Sequence, residues 1–310
     1  MDVSIVIVNY KTTDLIVNCI KSIREYTRNI SYEIIIVDNN SNDDCHETLK
    51  RIFPRENWIF IALDNNKGFG MANNEGFKVA KGRNILCLNP DTLLMNNAVK
   101  ILSSFLDNHK DIGACGGNLY DEELCPTFSF SRMLPSLLWE LNILAFGKIE
   151  KLLYKNNRNF NNTKTPIEVG YITGADLMIK KNVIEQTGGY SPEFFMYYED
   201  TDLCCRIKRK GYKVTSVPTA NIQHLEGKSF DRGKNNINEK RIGLSEKSRL
   251  IYYMMNVGKF ETWLSCKVYI FGLFVNEVFF LLSRNEIWKY YNCRRRMIKL
   301  QRRKMKGSCM

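Results

Sequence analysis

The chain has 310 residues, which is enough for one large α/β domain or for a domain with an appendage. Hydrophobic residues make up 44% and charged residues 25% of it, a composition that excludes a disordered chain. The formal net charge is +12, but residues 283–310 alone hold ten basic residues and one acidic residue, Glu286. The remainder carries little net charge, so we expect no nucleic-acid partner.

The ten cysteines include no Cys-x-x-Cys pair and no spacing to the three histidines that is typical of a metal site. In a chain that can fill an apolar core, this pattern indicates reduced thiols in a cytosolic protein. Met1-Asp2 leads directly into a strand pattern, so we expect no signal peptide.

Short apolar runs alternate with helical patterns through the first 108 residues. The predicted strands cover residues 3–8, 33–37, 58–63 and 85–88, and the predicted helices cover 15–24, 48–53, 71–80 and 96–108. This alternation with short links predicts an α/β fold with a doubly wound, mostly parallel, Rossmann-like sheet. The turn at residues 9–13 lacks the G-x-G-x-x-G pattern, and no Walker pattern occurs, so no glycine loop is expected to hold a phosphate.

Polar residues follow each of the four predicted strands, most distinctly at Asn89-Pro90-Asp91. Pro90 stiffens this turn, and the end of the buried run 85–88 presents Asp91 where open α/β sheets bind their ligands. A carboxylate and an amide oxygen two residues apart suit a divalent cation that bridges phosphates. A plain β-turn is the alternative interpretation.

Residues 119–166 show the least regular pattern of the first 230 residues. Residues 133–153 carry a dense apolar set, which predicts either a packed helical hairpin or a flexible flap on the acceptor side. The strand pattern at 168–180 is interrupted by the small pair Gly174-Ala175 before Asp176. Such a break indicates the close approach of another chain segment or a ligand.

Three acidic residues, Glu199, Asp200 and Asp202, open an amphipathic helical pattern. Acidic residues in a first turn oppose the helix dipole and cap free N–H groups, so a purely structural role is one interpretation. The apolar residues 194–198 place these carboxylates against a hydrophobic wall, where the pKa of one can rise into the range of a general base. His224 stands at the end of a last predicted strand, residues 213–217 and 220–224, and is followed by a polar loop. It is either a surface residue or a ligand of a metal or diphosphate.

Five motifs in this order resemble a known family. They are VSIVIVNYK (residues 3–11), IVDNNS (36–41), NNKGFGMANN (65–74), LNPD (88–91) and FMYYEDTDL (195–203). Together they look like a family 2 glycosyltransferase with the GT-A fold, of the subgroup that contains bacterial rhamnosyltransferases. The resemblance covers about residues 1–230.

The resemblance implies an inverting transfer of a sugar from a nucleoside diphosphate sugar to an acceptor hydroxyl. By position, Asp38 corresponds to the residue that hydrogen-bonds the pyrimidine base. Asp200, beside Glu199, corresponds to the catalytic base. The implied ligands of Mg²⁺ or Mn²⁺ are Asp91, His224 and Asn89. The implied nucleotide-sugar-binding residues are Val8, Asn9, Tyr10, Asp38, Asn40, Lys67, Gly68, Asn89, Pro90 and Asp91. The residues assigned to the acceptor side are Gly174, Ala175 and Asp176.

Asn89 stands where the family has the first aspartate of its Asp-x-Asp motif, and the missing charge weakens the implied metal site. The Asn-Pro-Asp form is that of the rhamnosyltransferase-like subgroup, which favours L-rhamnose from dTDP-rhamnose as the donor. The implied acceptor is a hydroxyl of a lipid-linked or polysaccharide glycan in O-antigen, capsule or cell-wall synthesis. Two alternatives stay open: a UDP-sugar-dependent family 2 enzyme with another donor, and a non-catalytic sugar-nucleotide-binding protein docked on a membrane. A nucleotidyltransferase is disfavoured because the first strand is not followed by a glycine- and arginine-rich loop.

The C-terminal tail contains a 21-residue apolar stretch, 262–282, long enough to span a bilayer. Lys267, Asn276 and Glu277 interrupt it, which favours a helix in the membrane interface over a true span. The basic stretch 294–306 suits an anionic lipid surface. An apolar helix packed on the catalytic domain is the alternative.

These patterns predict two regions. Residues 1–230 form the catalytic domain, with a nucleotide-sugar half at about 1–118 and an acceptor half at about 119–230. Residues 231–310 form a helical, basic, membrane-associating extension. We expect a peripheral protein on the cytoplasmic face of the plasma membrane.

Overall fold

The computed structural model describes residues 1–54, 58–155, 158–225 and 238–307. The chain divides into two compact units. Unit 1 comprises Met1–Arg132, Asn156–Phe195 and Glu199–Asp231, and unit 2 comprises Met133–Lys155, Met196–Tyr198 and Arg232–Met310. The apolar stretch at 133–153 therefore belongs to the same unit as the C-terminal helices.

Strands and helices alternate through unit 1, and unit 2 is helical. The strands are β1 (Val3–Asn9), β2 (Tyr32–Asp38), β3 (Trp58–Ala62), β4 (Asn84–Leu88), β5 (Thr92–Leu94), β6 (Ile112–Tyr120), β7 (Phe130–Ser131), β8 (Ile167–Glu168), β9 (Tyr171–Ile172), β10 (Asp176–Lys180) and β11 (Lys213–His224). The helices are α1 (Thr13–Tyr26), α2 (Cys45–Ile52), α3 (Phe69–Val79), α4 (Ala98–Asn108), α5 (Leu137–Leu144), α6 (Lys148–Tyr154), α7 (Lys181–Thr187), α8 (Glu199–Arg209), α9 (Glu239–Asn256), α10 (Lys259–Leu282) and α11 (Trp288–Gly307).

The main sheet of unit 1 has the strand order β3-β2-β1-β4-β10-β6-β11-β5, with β8 paired to β11. The pairs β2–β3, β1–β2, β1–β4 and β6–β11 are parallel, so the predicted mostly parallel sheet is confirmed. β1 and β4 are buried along their whole length because apolar clusters cover both faces of the sheet. Strand order reverses at β1, between β2 and β4, and the crevice outside such a reversal is where open α/β sheets bind ligands.

Strand β10 departs from the simple alternation. It runs antiparallel to both neighbours, β4 and β6, so its first residue, Asp176, lies opposite Leu88 at the carboxyl end of β4. The predicted strand 168–180 is divided into β8, β9 and β10, and β9 pairs with β7 in a separate sheet. The predicted interruption at Gly174-Ala175 therefore lies at the ligand-binding edge of the main sheet.

Unit 2 is held together by a buried network of charged and aromatic side chains. The Arg249 guanidinium contacts the Glu140 carboxylate and lies 3.7 Å from the ring centre of Tyr269. The Tyr269 hydroxyl donates to Glu246 at 2.6 Å, and Glu246 also binds Arg294 at 2.6 Å. Buried ions are costly unless they are paired, so this network fixes the arrangement of α5, α9, α10 and α11.

Helix α10 contains the apolar stretch of the tail. Among the residues that the structure describes, it is the one helix with the length and apolar composition to cross a membrane, and 33% of its most apolar window is buried. The stretch at 133–153 forms α5 and α6, so of its two interpretations the helical hairpin is the one observed.

Candidate active site

The carboxyl ends of β1 and β2 are joined by side chains. The Asn9 Nδ2 donates to Asp38 Oδ1 at 2.8 Å and to the Asp43 carboxylate at 3.1 Å. Its Oδ1 accepts from the backbone and side chain of Thr12. Ser41 N donates to the other oxygen of Asp38 at 3.3 Å. The Asn9 carboxamide is thus fully used within the protein, and it positions Asp38 instead of facing a nucleotide.

Three other residues assigned to nucleotide binding surround this point. Val8 is buried in the sheet. Tyr10 exposes its ring, with the Lys11 ammonium 5.9 Å from the ring centre. Asn40 has a φ of 59°, a left-handed conformation that asparagine tolerates better than most residues. Of the three, Tyr10 is the side chain that offers an open surface on which a base can stack.

Asn39 is a buried residue that sequence reasoning missed. Its Nδ2 donates to Asn66 Oδ1 at 2.9 Å, and its Oδ1 accepts from Lys67 N at 2.9 Å. The Asn66 Oδ1 also accepts from Gly68 N at 2.9 Å. Asn39 therefore ties the end of β2 to the loop before α3. The polar cluster after the second strand was the only sequence signal for it.

Lys67 is held by an acidic residue of the following helix. Its ammonium lies 2.8 Å from the Glu75 carboxylate. Hydrogen bonds from Lys67 and then Lys78 lower the pKa of Glu75, so the carboxylate stays ionised. A diphosphate that binds Lys67 has to compete with Glu75 for the same cation.

Gly68 lies at a close backbone contact. Its φ is +84°, and a Cβ at this position would lie 2.1 Å from the carbonyl oxygen of Phe195. That oxygen also accepts from Phe69 N at 3.2 Å. Only glycine fits here, which joins the loop before α3 to the segment that leads toward α8.

Gly68→Ala is expected to lower the free energy of unfolding more than Gly211→Ala does. Gly211 has a similar φ of +88°, but no atom lies within 4 Å of the point that its Cβ would occupy, so it reports the conformational cost alone, about 1–2 kcal/mol. At Gly68 the backbone must also move, which adds about 1–3 kcal/mol. Urea denaturation of both variants gives the difference. Equal losses in the two variants would contradict the close contact.

The turn after β4 brings the implied metal residues together. Asn89 N donates to the Ala175 carbonyl at 3.0 Å, and Thr92 Oγ1 donates to the Asn89 carbonyl at 2.7 Å. Strand β11 pairs with β5 so that His224 lies opposite Thr92. His224 Nε2 is consequently 3.4 Å from Asp91 Oδ1 and 3.4 Å from Asn89 Nδ2.

These three side chains fit an open cation site. They offer a carboxylate oxygen, an imidazole nitrogen and, with the Asn89 amide turned over, an amide oxygen. Mn²⁺ accepts such mixed ligands, and Mg²⁺ accepts the oxygens. Within the described ranges no group of three or more His, Cys, Asp or Glu residues is arranged to hold a metal. A cation held by these three side chains alone would keep coordination positions for phosphate oxygens and water.

The acidic pair Glu199-Asp200 begins α8. Asp200 Oδ2 accepts from Gly174 N at 2.9 Å, and its Oδ1 accepts from Thr201 N at 2.6 Å and Thr201 Oγ1 at 3.1 Å. Burial raises the pKa of both carboxyls, and the neighbouring Asp200 charge helps raise that of Glu199 to about 8. The hydrogen bonds from Thr201 and Gly174 oppose the rise in the pKa of Asp200 and favour its charged form.

The dipeptide Gly174-Ala175 connects the acidic pair to the turn at Asn89–Asp91. Gly174 N donates to Asp200, and the next residue, Ala175, accepts from Asn89 N. Asp200 and the turn that carries Asp91 are thus bonded to consecutive residues at the start of β10. The structure brings these two predicted acidic positions together, although they lie more than a hundred residues apart in the chain.

Asp176 lies deeper than its predicted acceptor-side position. It is fully buried, and its Oδ2 accepts from Gly117 N of β6 at 2.5 Å. Burial raises its pKa to about 7. Successive side chains along a strand point to opposite faces of the sheet, and the side chain of Asp176 points to a buried face. Its carboxylate has no exposed surface for an acceptor, so this assignment is corrected.

The stability of the protein is expected to fall as the pH rises from about 4.5 to about 8. Folded Glu199 keeps its proton to about pH 8, whereas the unfolded chain loses it near 4.5. The slope approaches about 1.4 kcal/mol per pH unit for one group. Asp176 and Asp200 act in the same direction, and the difference between the wild type and Glu199→Gln gives the part of the slope that depends on Glu199. Parallel curves for the two proteins in urea denaturation would contradict the raised pKa.

Comparison with known proteins assigns the family. The model of "Glycosyl transferase family 2" matches residues 4–186, more than half of the chain. A second model, "N-terminal domain of galactosyltransferase", matches residues 156–228. The chain belongs to glycosyl transferase family 2, so the predicted family is confirmed.

Two curated relatives and one solved structure are similar to this chain. The poly-beta-1,6-N-acetyl-D-glucosamine synthase of Staphylococcus aureus (strain COL) is 25% identical over 188 residues, 61% of this chain and 41% of that protein. The chain thus spans about two-fifths of that relative's length. The low-salt glycan biosynthesis hexosyltransferase Agl10 of Haloferax volcanii is 24% identical over 229 residues, 72% of this chain and 67% of that protein. The mannosyltransferase PcManGT of Pyrobaculum calidifontis, solved with GDP-Man and Mn²⁺, has a TM-score of 0.62 at 14% identity, over 97% and 86% of the two chains. This likeness confirms the predicted fold.

Proposed function

We propose that this protein is an inverting glycosyltransferase that moves a sugar from a nucleoside diphosphate sugar to a hydroxyl of a cell-surface glycan or its lipid-linked precursor. The observation that carries the proposal is the bonding of Asp200 and Asn89 to consecutive residues, Gly174 and Ala175. This arrangement supports a general base at Asp200 and a diphosphate site at the Asn89–Asp91 turn, with a single sugar between them.

The donor is held at the carboxyl ends of β1, β2 and β4. Tyr10 and Asp38 receive the base, and Lys67 and Gly68 lie along the diphosphate. Asp91, with His224 and Asn89, would hold Mg²⁺ or Mn²⁺, which when bound would supply positive charge to stabilise the departing diphosphate. Mn²⁺ accompanies GDP-Man in the similar mannosyltransferase, which supports a divalent cation here.

Asp200 acts on the acceptor. It carries the negative charge of the acidic pair and takes the proton of the attacking hydroxyl, on the face of the sugar opposite the diphosphate. Glu199 stays protonated, which limits repulsion beside Asp200. A single displacement on that face inverts the anomeric centre.

The donor we favour is dTDP-rhamnose, because the turn Asn89-Pro90-Asp91 has the form that is typical of the rhamnosyltransferase-like subgroup. The acceptor we favour belongs to cell-surface glycan synthesis, because the named relatives make poly-beta-1,6-N-acetyl-D-glucosamine and a low-salt glycan. We place the catalytic region within residues 1–230 and the membrane-associating region in 231–310, together with the stretch 133–155 that belongs to the same compact unit. The protein then works as a peripheral protein on the cytoplasmic face of the plasma membrane.

A thermal-shift screen of dTDP-, UDP- and GDP-sugars, each with and without Mn²⁺, tests this function. We expect dTDP-rhamnose to raise the melting temperature most, and only when Mn²⁺ is present. Hydrolysis of the same donor, followed by NMR of the released sugar, reports inversion. A larger increase in melting temperature with a UDP-sugar would mean that the donor is a UDP-sugar and not dTDP-rhamnose. Donor binding without any hydrolysis or transfer would mean that the protein binds sugar nucleotides but is not an enzyme.

A further inference from the structure

Helix α10 exposes a stripe of large apolar side chains. At 3.6 residues per turn, Phe260, Trp263, Phe271 and Phe274 lie within roughly 100° of the helix circumference. Their exposed fractions are 75%, 52%, 56% and 47%. Large aromatic residues that are exposed in a continuous row mark an interaction surface, whereas scattered ones do not.

Two polar residues of α10, Asn276 and Glu277, are bonded within unit 2. Asn276 is buried and donates to the Gly272 carbonyl at 2.8 Å. Glu277 binds Arg295 at 2.7 Å and accepts from Asn292 at 2.7 Å. Two of the three residues that interrupt the apolar sequence, Asn276 and Glu277, are therefore satisfied inside unit 2, and the exposed stripe of the helix is apolar except for Lys267. This is the reverse of a soluble surface helix.

The helical hairpin α5–α6 adds exposed apolar side chains beside α10, next to a different face of that helix from the stripe. The exposed ring of Phe146, between the two helices, lies 6.2 Å from that of Phe279 on α10. Leu152 of α6 is 82% exposed. The exposed apolar surface of unit 2 thus continues from α10 onto a segment that precedes it in the chain by more than a hundred residues.

Positive charge accompanies this surface. Helix α11 carries nine basic residues and no acidic residue. Glutamates elsewhere in unit 2 pair with Arg294, Arg295 and Arg296, which leaves an excess of basic side chains. Lys267, within the apolar stripe, lies 5.7 Å from the ring centre of Trp263. Its long apolar stem allows the ammonium to reach a lipid phosphate at the interface.

We propose that α10 and the α5–α6 hairpin together form the surface that enters an anionic phospholipid bilayer, with α10 lying in the membrane plane. This deepens the membrane partner of the proposed function by naming the surface. A spanning α10 would have to leave the buried contacts of Asn276 and Glu277, whereas an in-plane α10 keeps them and buries only its apolar stripe. The basic excess of α11 selects anionic lipid over a second copy of this basic chain.

Flotation of the full chain with lipid vesicles tests the surface. We expect binding to vesicles of phosphatidylcholine with phosphatidylglycerol and much weaker binding to phosphatidylcholine alone. Phe260→Glu and Leu152→Glu should each weaken binding at least about tenfold, since each puts a charge into the buried interface. The control, Leu124→Glu, alters an exposed leucine of unit 1 and should bind as the wild type does.

The depth of α10 distinguishes lying from spanning. Trp263 lies near one end of the helix and Phe271 near its middle. An in-plane helix predicts that the tryptophan of Phe271→Trp is quenched, like Trp263, by lipids brominated near the carbonyl groups. Strongest quenching by bromines near the chain ends would mean that α10 spans the bilayer and would overturn the proposal.

Other outcomes also decide the matter. Wild-type binding by both glutamate variants would overturn the proposed surface, as would a lipid-free dimer that Phe260→Glu dissociates. The vesicle assay contains no donor and no metal, and donor binding by thermal shift is measured separately on the same variants. Failure of the membrane surface and failure of the glycosyltransferase assignment therefore give different results.

Discussion

Asp200→Asn is expected to lower glycosyl transfer by about 10²–10⁴ while donor binding stays nearly unchanged. The amide cannot take a proton from the acceptor hydroxyl, yet it keeps the size of the carboxylate and an oxygen to accept from Gly174 N. Initial rates at saturating donor and acceptor measure the first effect, and a donor titration by thermal shift measures the second.

Glu199→Gln is the matched control for this result. Glu199 is protonated at neutral pH, and glutamine resembles that neutral form, so transfer should stay within about tenfold of the wild type. The reverse order of effects, with Glu199→Gln inactive and Asp200→Asn active, would assign the base to Glu199. Full activity of both variants would show that neither Glu199 nor Asp200 acts as the general base.

Asp91→Asn is expected to remove the effect of Mn²⁺ on donor binding and to lower transfer by about 10²–10³. Asp91 is the only carboxylate of the turn, since Asn89 replaces the other, so its loss leaves the imidazole and two amides. Isothermal titration of the donor with and without Mn²⁺ measures the coupling. The control, Asp64→Asn, changes an aspartate that follows β3 and is not among the implied metal ligands. This variant should keep the coupling between Mn²⁺ and donor binding.

His224→Gln gives a graded version of the same test. An amide in place of the imidazole should weaken the coupling between Mn²⁺ and donor without abolishing it, because Asp91 remains. A donor affinity that responds to Mn²⁺ equally in the wild type and in Asp91→Asn would show that the cation binds elsewhere or that none is used.

Local sequence patterns were sufficient to predict the first half of unit 1. Each buried apolar run became a strand, and each polar end of a strand came to the same edge because parallel neighbours point the same way. The turn at Asn89–Asp91 was predictable for a further reason: Pro90 ends the strand wherever the rest of the chain lies. Helices α2 and α3 begin at Cys45 and Phe69, two or three residues earlier than predicted, where terminal residues carry little pattern.

Features that depend on distant residues were not predictable. The antiparallel insertion of β10 between β4 and β6 decides that Asp176 is buried and that Gly174 meets Asp200. Neither fact has a signal within a short window of sequence. Asn39 and Asp43 were overlooked because their roles depend on which neighbours the fold brings to them.

Unit 2 shows the same limit. The pairing of Glu140 with Arg249 joins residues 109 positions apart, so nothing near either one indicated it. The apolar stretch at 133–153 was expected on the acceptor side or in a hairpin, and composition alone could not assign it to the C-terminal helices. The interruptions in α10 were visible in the sequence, but only the structure shows that Asn276 and Glu277 are bonded within unit 2.

A crystal structure of the protein with Mn²⁺ and an unreactive analogue of the donor tests the central claim most directly. We predict an anomalous peak for manganese beside Asp91 and His224. The diphosphate of the donor analogue should contact this manganese, and its anomeric carbon should face Asp200. A donor bound away from this turn, or an anomeric carbon that faces away from Asp200, would contradict the proposed mechanism.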